Sequence, residues 1–209
     1  MNLFNRMSIA LKLPLAFVAC SQLALASLGV MTYSVMESSL RKAIESSLDE
    51  MRVEREYAVI AWFDQIKNVL RVEGRDKGVV EAIETFDAAY RSVGGDPTRH
   101  FHRLYIEDNP HPLGDKDALI SVDAPSAYNE AHKHFHEHYR NVAGIYDFYD
   151  VFLFNAEGDL IYSVEKEIDF ATNFVTGEWA GSGLGRAFQG AADINAGEVW
   201  FEDFAPYGP

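Results

Sequence analysis

Four histidines, His132, His134, His136 and His138, alternate along one short stretch, and imidazole is a common ligand for metal ions. On a helix, residues four apart share a face, so His132 pairs with His136 and His134 with His138. Positions two apart differ by about 200° at 3.6 residues per turn, so the two pairs point in opposite directions. One four-ligand site from this segment is therefore ruled out. A single pair, His132 with His136, suits zinc, nickel or haem iron if His100, His102 or Glu137 joins it. Packing or solvated histidines are the simpler account, because two at helical spacing recur by chance. No cofactor is assigned on this basis.

Covalent catalysis finds little to work with. The lone cysteine, Cys20, lies in an apolar stretch near the N-terminus, which removes a thiol nucleophile and any intrachain disulfide. Gly181-Ser182-Gly183-Leu184-Gly185 is glycine-rich but lacks the Gly-Lys-Ser/Thr ending of a phosphate loop. The chain reads as a non-enzyme. Its carboxylates, including Asp147, Asp150, Glu165, Asp169, Glu202 and Asp203, gather around the strand-forming region, and most are expected to be solvated.

The elements that must position these residues begin with Leu13 to Met36, 24 positions without a charged side chain. As a helix this run rises roughly 36 Å at about 1.5 Å per residue, enough for a hydrocarbon core of about 30 Å. Arg6 and Lys12 precede it, so the positive-inside bias places residues 1–12 in the cytoplasm and residues 37–209 outside. Ala24-Leu25-Ala26 resembles a signal-peptidase site, but the apolar run continues ten residues beyond it, which favours an uncleaved anchor. The expected location is a bacterial inner membrane, with the bulk of the chain periplasmic.

Net charge is -14, and the first 36 residues contribute +2, leaving -16 on the external part. Such a surface repels nucleic acid and anionic head groups. Hydrophobic content of 48% and aromatic content of 13% indicate a packed core rather than a disordered tail.

From Glu37 to Glu73 apolar residues recur at steps of three or four: Leu40, Ile44, Leu48, Met51, then Tyr57, Ile60, Phe63, Ile66 and Leu70. This predicts a long helix over 37–73 that continues the membrane segment, a rod of roughly 85–90 Å at about 1.5 Å per residue. The stripe Leu40, Ile44, Leu48, Met51 suits a homodimer, or packing within one subunit. A helical region follows over 74–144, with helices at 78–93, 98–106 and 126–142, and Gly144 as the last terminator. A loop fills 108–115.

After Gly144 the period changes to two. Strands are predicted at Phe148–Phe154 and Leu160–Val164, with a third at Glu198–Phe204 and a short helix at Gly183–Ala192. The core residues Val151, Leu153, Ile161 and Val164, or their alternates, are expected to face the long helix. The fold class is α+β, a membrane-anchored helix and helical region followed by an incomplete antiparallel sheet over 145–209. Ending on Ala205-Pro206-Tyr207-Gly208-Pro209 after a strand, the sequence reads as the front part of a longer protein.

The stretch Tyr149-Asp150-Val151-Phe152-Leu153-Phe154-Asn155-Ala156-Glu157-Gly158-Asp159-Leu160-Ile161-Tyr162-Ser163-Val164, with Glu165-Lys166-Glu167 and Asp169-Phe170-Ala171-Thr172-Asn173 after it, resembles bacterial extracytoplasmic Cache/PAS-like sensor domains. These occur in methyl-accepting chemotaxis proteins, and related modules precede nucleotide cyclases and histidine kinases. Arg103–Pro110, Asp203–Tyr207, the His132/His136 pair and the Met7–Pro14 start are further similarities. The resemblance implies a small-molecule sensor in a chemoreceptor, with cytoplasmic signalling partners reached through other regions. A cyclase or kinase input is the alternative, and a membrane-anchored metal or haem protein is the rival from another class. In PAS-like sheets, ligands lie against the concave face between aromatic walls and polar anchors. Tyr149, Phe152, Tyr162, Trp179, Trp200 and Phe204 are the available walls, with Lys166, Asp169, Glu202 and Asp203 as anchors. Lys166 and Arg186 are the only basic residues from Gly144 to Pro209.

Overall fold

A computed structural model describes residues 8–209. Among these residues lie five α-helices and one two-stranded antiparallel sheet, a mixed α+β layout that is 63% helical. The expectation for the extreme N-terminus falls partly on residues 1–7, outside the described part. The chain divides into two compact units, residues 1–64 and 65–209.

The first unit is formed by α1, which runs Ile9–Glu73 in all. The helix opens before Leu13, with Lys12 N–H bonded to the Ser8 carbonyl at 3.1 Å, and Pro14 sits inside it. By length and composition α1 can cross a membrane. None of its residues is buried, and Leu40, Ile44, Leu48 and Met51 are all exposed.

In the second unit, α1 ends where the Gly74 N–H reaches the Leu70 carbonyl at 2.9 Å. Asp76 then caps α2 (Lys77–Arg91), accepting from the Gly78 N–H at 2.6 Å. Helix α3 (Pro97–His102) has Asp96 as its cap and Pro97 at its first position, and continues through a π-helical turn over Arg103–Glu107. Ser126 caps α4 (Ala127–Tyr146). Gly144 does not stop this helix. It ends two residues later than that glycine, at Tyr146, and is capped by Asp147, which adopts the left-handed conformation at φ 56° and donates its N–H to the Ala143 carbonyl.

The hairpin is shorter than its aromatic pattern suggests: β1 covers Phe152–Phe154 and β2 covers Leu160–Ser163. Phe152 pairs with Ser163 and Leu153 with Tyr162, then the register slips so that Phe154 meets Leu160. Asn155 organises the turn. Its Nδ2 donates to Asp87 at 2.8 Å and Asp159 at 2.9 Å, and its Oδ1 accepts from the Glu157 and Asp159 N–H groups. Gly158, at φ 85°, supplies the conformation that closes it.

The expected third strand at Glu198–Phe204 does not form. Residues 171–173 occupy the far edge of β2 instead, through Leu160 N–H to the Thr172 carbonyl at 2.9 Å and Ala171 N–H to the Leu160 carbonyl at 3.1 Å. Residues 198–204 are irregular, and Trp200 lies against Gly190 of α5 (Gly183–Ala192), where any Cβ would collide with its ring.

The core is aromatic. Phe86 of α2 lies 4.9 Å from the Tyr162 ring and 5.1 Å from Tyr128, and Phe101 lies 4.3 Å from Tyr128. Ile161 and Val164 join this core with α2 and α4, not with the long helix as expected. Val151 and Leu153 do reach the long helix: with Val69 and Leu70 at its end they line a cavity of about 460 Å³, together with Leu184, Phe188 and Trp200.

Candidate functional site

Three side chains converge where β2 ends. Ser163 donates its hydroxyl to Asp150 Oδ2 at 2.7 Å and accepts the Lys166 N–H at 3.0 Å. Lys166 is in the left-handed region at φ 58°, which turns its side chain back so that Nζ donates to the Ser163 carbonyl at 2.6 Å. Nζ also sits 4.8 Å from the Tyr162 ring centroid. Lys166 is fully buried and Asp150 half-buried. Burial pushes the Lys166 ammonium down and the Asp150 carboxyl up, and each partly restrains the other's shift. Glu165 beside them is raised to about 7 by burial, with Asp117 and Asp150 adding repulsion. The Lys166 charge is thus held mainly by carbonyl oxygens at the end of the hairpin, a different use from the ligand anchor its sequence position suggests.

His132 and His136 do share the inner face of α4, stacked with centroids 4.1 Å apart, while His134 and His138 are exposed. A carbonyl oxygen can only accept, so the ring nitrogen facing one carries the proton. His136 Nε2–H therefore donates to the Asp117 carbonyl at 2.7 Å, and its Nδ1 accepts the Tyr162 hydroxyl at 2.6 Å. His132 Nδ1–H donates to the Ile120 carbonyl at 2.9 Å. Burial holds both rings neutral, His136 down to about 3, and Lys166 adds to both shifts. Three of the four ring nitrogens are engaged with protein groups. Among the described residues no cluster of three or more His, Cys, Asp or Glu is arranged to hold a metal ion.

A second polar cluster lies at Asp169. Its carboxylate is 1% exposed, accepts the Tyr207 hydroxyl on Oδ2, and has no partner on Oδ1. Burial raises its pKa, and Glu167 nearby adds to the rise. Trp179 meets the Tyr207 ring edge-on at 5.6 Å, and its buried Nε1–H is likewise unpartnered. Tyr207 thus joins Asp169 to Trp179, two residues ten positions apart in sequence.

The remaining expected site residues are scattered. Tyr149 is exposed and donates to Glu167 at 2.6 Å. Glu202 pairs with Arg186 on the surface at 2.6 Å, and Asp203 accepts only from the neighbouring Phe204 N–H at 2.8 Å among the described hydrogen bonds. Phe204 is 95% exposed, so it walls nothing in this unit. The structure therefore brings together Tyr162 with Lys166, Asp169 with Trp179 through Tyr207, and Phe152 with Trp200 in the cavity at the end of α1, but among the described residues no single pocket holds all ten expected residues. Sequence reading missed Ser163 and Tyr207 as members, because neither residue type stands out until the chain folds back. Comparison with protein-family models, curated proteins and solved structures gives no match to this chain.

Proposed function

We propose that this chain is the ligand-sensing input region of a bacterial transmembrane receptor, of the Cache/PAS-like kind found in methyl-accepting chemotaxis proteins. The observation that supports this most is α1 itself. One helix holds both the charge-free stretch Leu13–Met36 and the residues Val69, Leu70 and Glu73 that line the cavity of the folded unit. Ligand binding there has a direct mechanical route to the bilayer. A ligand shifts a two-state equilibrium only by its differential affinity, so the α2–α5 unit must pack on the end of α1 differently in each state. Small sliding of packed helices is a known form of such a change.

The working unit in this reading is a homodimer in the inner membrane, with the α2–α5 unit periplasmic and the stripe Leu40, Ile44, Leu48 buried between two copies of α1. With Cys20 replaced by Ser, single cysteines at positions 40, 44 and 48 crosslink between subunits in membranes, and those at 42 and 46 do so much more slowly. Equal rates at all five positions, or none at any, overturn the paired-helix reading. Whether the output is chemotactic, or that of a cyclase or kinase, follows from the region the receptor joins to this input.

A further inference from the structure

A strand edge left unpaired beside apolar walls is a template for another strand, because its N–H and C=O groups have no partner in the sheet. β1 has such an edge. It pairs with β2 on one side, and among the described residues no strand lies on the other. Successive side chains of a strand point to opposite faces, and β1 follows the rule: Leu153 joins the aromatic core, while the Phe154 ring meets Phe188 of α5 at 5.0 Å. The cavity of about 460 Å³ at the end of α1 is nevertheless lined by Phe152, Leu153 and Phe154 together. A space that touches both faces of one strand runs along its edge, so the cavity follows the free edge of β1.

A segment suited to that edge lies beside the cavity. Glu198–Phe204 belongs to no helix or strand, yet Val199, Trp200, Phe201 and Phe204 are residue types that strands favour. Trp200, Phe201 and Phe204 are exposed, and Trp200 already lines the cavity. The contacts that hold this strap lie at the surface. At its base Arg71 donates to the Gly197 carbonyl at 3.3 Å, with Gly197 at φ 88°, and farther along Arg186 pairs with Glu202 at 2.6 Å. Between them Lys67 sits over the Phe201 ring at 5.6 Å. Surface contacts of this kind hold a chain weakly.

We propose that Glu198–Phe204 is a strap that closes onto the free edge of β1 as an added strand, and that the closed form excludes ligand from the cavity. This rests on the two-state sensory reading above, for which it supplies the ligand-free state. In the closed form the edge N–H and C=O groups of β1 bond to the strap backbone, and apolar side chains of the strap enter the cavity. The Trp200 ring gives up its seat on Gly190 of α5, and Arg186 loses Glu202. Gly197 is the hinge, since glycine admits backbone angles that other residues resist. Strap and ligand compete for one space, so a bound ligand holds the strap open and leaves the aromatic core of α2–α4 undisturbed.

The test is disulfide trapping in the full chain in detergent, with Cys20 replaced by Ser. Phe152→Cys is combined in turn with a single cysteine at each of positions 199 to 203. Paired strands bring opposed Cα atoms to about 4.5–5.5 Å, within disulfide reach. Crosslinking therefore alternates along the strap, fast where a position shares a face with residue 152 and about tenfold slower or more at its neighbours. Arg186→Gln, which frees the strap from α5, speeds the fast pairs by about twofold or more. Absence of crosslinks at all five positions overturns the proposal, as does a rate that does not alternate or that Arg186→Gln leaves unchanged. Amide hydrogen exchange on the chain without engineered cysteines covers the case of a misfolded cysteine variant. In Arg186→Gln residues 152–154 and 198–204 exchange more slowly than in wild type, and unchanged exchange at both segments overturns closure as well. Either failure leaves the sensory reading standing, because the cysteine crosslinks along α1 report on that reading without reference to the strap.

Discussion

Exchanging His136 for Asn isolates the energetic consequence of burying a neutral imidazole in this core. The ring lies in α4 with Nε2–H on the Asp117 carbonyl and Nδ1 on the Tyr162 hydroxyl, and burial lowers its pKa from 6.5 to about 3. The folded state therefore refuses a proton that the unfolded chain accepts. Stability from this residue is complete above pH 6.5 and falls as the pH drops from 6.5 towards 3. At about 1.36 kcal/mol per unit, the full loss is about 5 kcal/mol, and roughly half of it is gone by pH 4.5. His132 acts in the same direction, while Glu165, raised to about 7, and Asp150 gain protons in the folded state and oppose the loss. The wild-type pH profile alone is a sum of these opposing effects, so the difference between wild type and His136→Asn is the quantity to measure. Near pH 7.5 the variant is less stable by about 1–3 kcal/mol, from disrupted hydrogen bonding to Tyr162 and Asp117. Near pH 4.5 that gap shrinks or reverses by about 2–3 kcal/mol, because the variant has no proton to take up in its unfolded state. Urea denaturation of the full chain in detergent, followed by circular dichroism at both pH values, reads the gap. A gap of the same size at both pH values refutes the buried neutral histidine.

Three further outcomes follow from single residues. Asn155→Ala removes four hydrogen bonds at the hairpin turn and leaves buried polar groups without partners, and its urea midpoint falls by the equivalent of about 3 kcal/mol. Asp147→Gly relieves the left-handed conformation at an exposed helix end and stabilises the chain by about 1 kcal/mol, seen as a raised thermal midpoint. Phe86→Ala empties the centre of the aromatic core and lowers stability by about 3–5 kcal/mol, with loss of near-ultraviolet circular dichroism.

Helices were the most legible part of the sequence, because their 3.6-residue period is local. Helix α5 has the expected bounds, and the shared face of His132 and His136 follows from spacing alone. The end of α4 was misread because glycine is permitted inside a helix, whereas the left-handed position fell to Asp147, whose short polar side chain tolerates it. The third strand was misread for a different reason. Glu198–Phe204 carries the aromatic residues of a strand, but a strand exists only with a partner, and the edge of β2 was taken by residues 171–173. The candidate site was legible in its members and not in its grouping. Lys166 and Asp169 are three residues apart, yet the left-handed turn at Lys166 sends its ammonium into the hairpin end, while Asp169 meets Tyr207 from a segment 38 residues away. Nothing in the local pattern reports such long-range closure.

The buried amine of Lys166 also makes this position a built-in gauge of local opening. Acylating reagents modify lysines that solvent reaches, and Lys166 is 0% exposed with its Nζ held by two carbonyls. Its labelling therefore waits for the hairpin end to come apart, while an exposed lysine such as Lys77 in the same molecule records the intrinsic reaction rate. The ratio of the two, read peptide by peptide in a mass spectrometer, gives the frequency of that opening under native conditions without any engineered probe. Every ligand, pH or membrane condition applied to the protein can then be scored by how far it slows or hastens the appearance of label at one nitrogen atom.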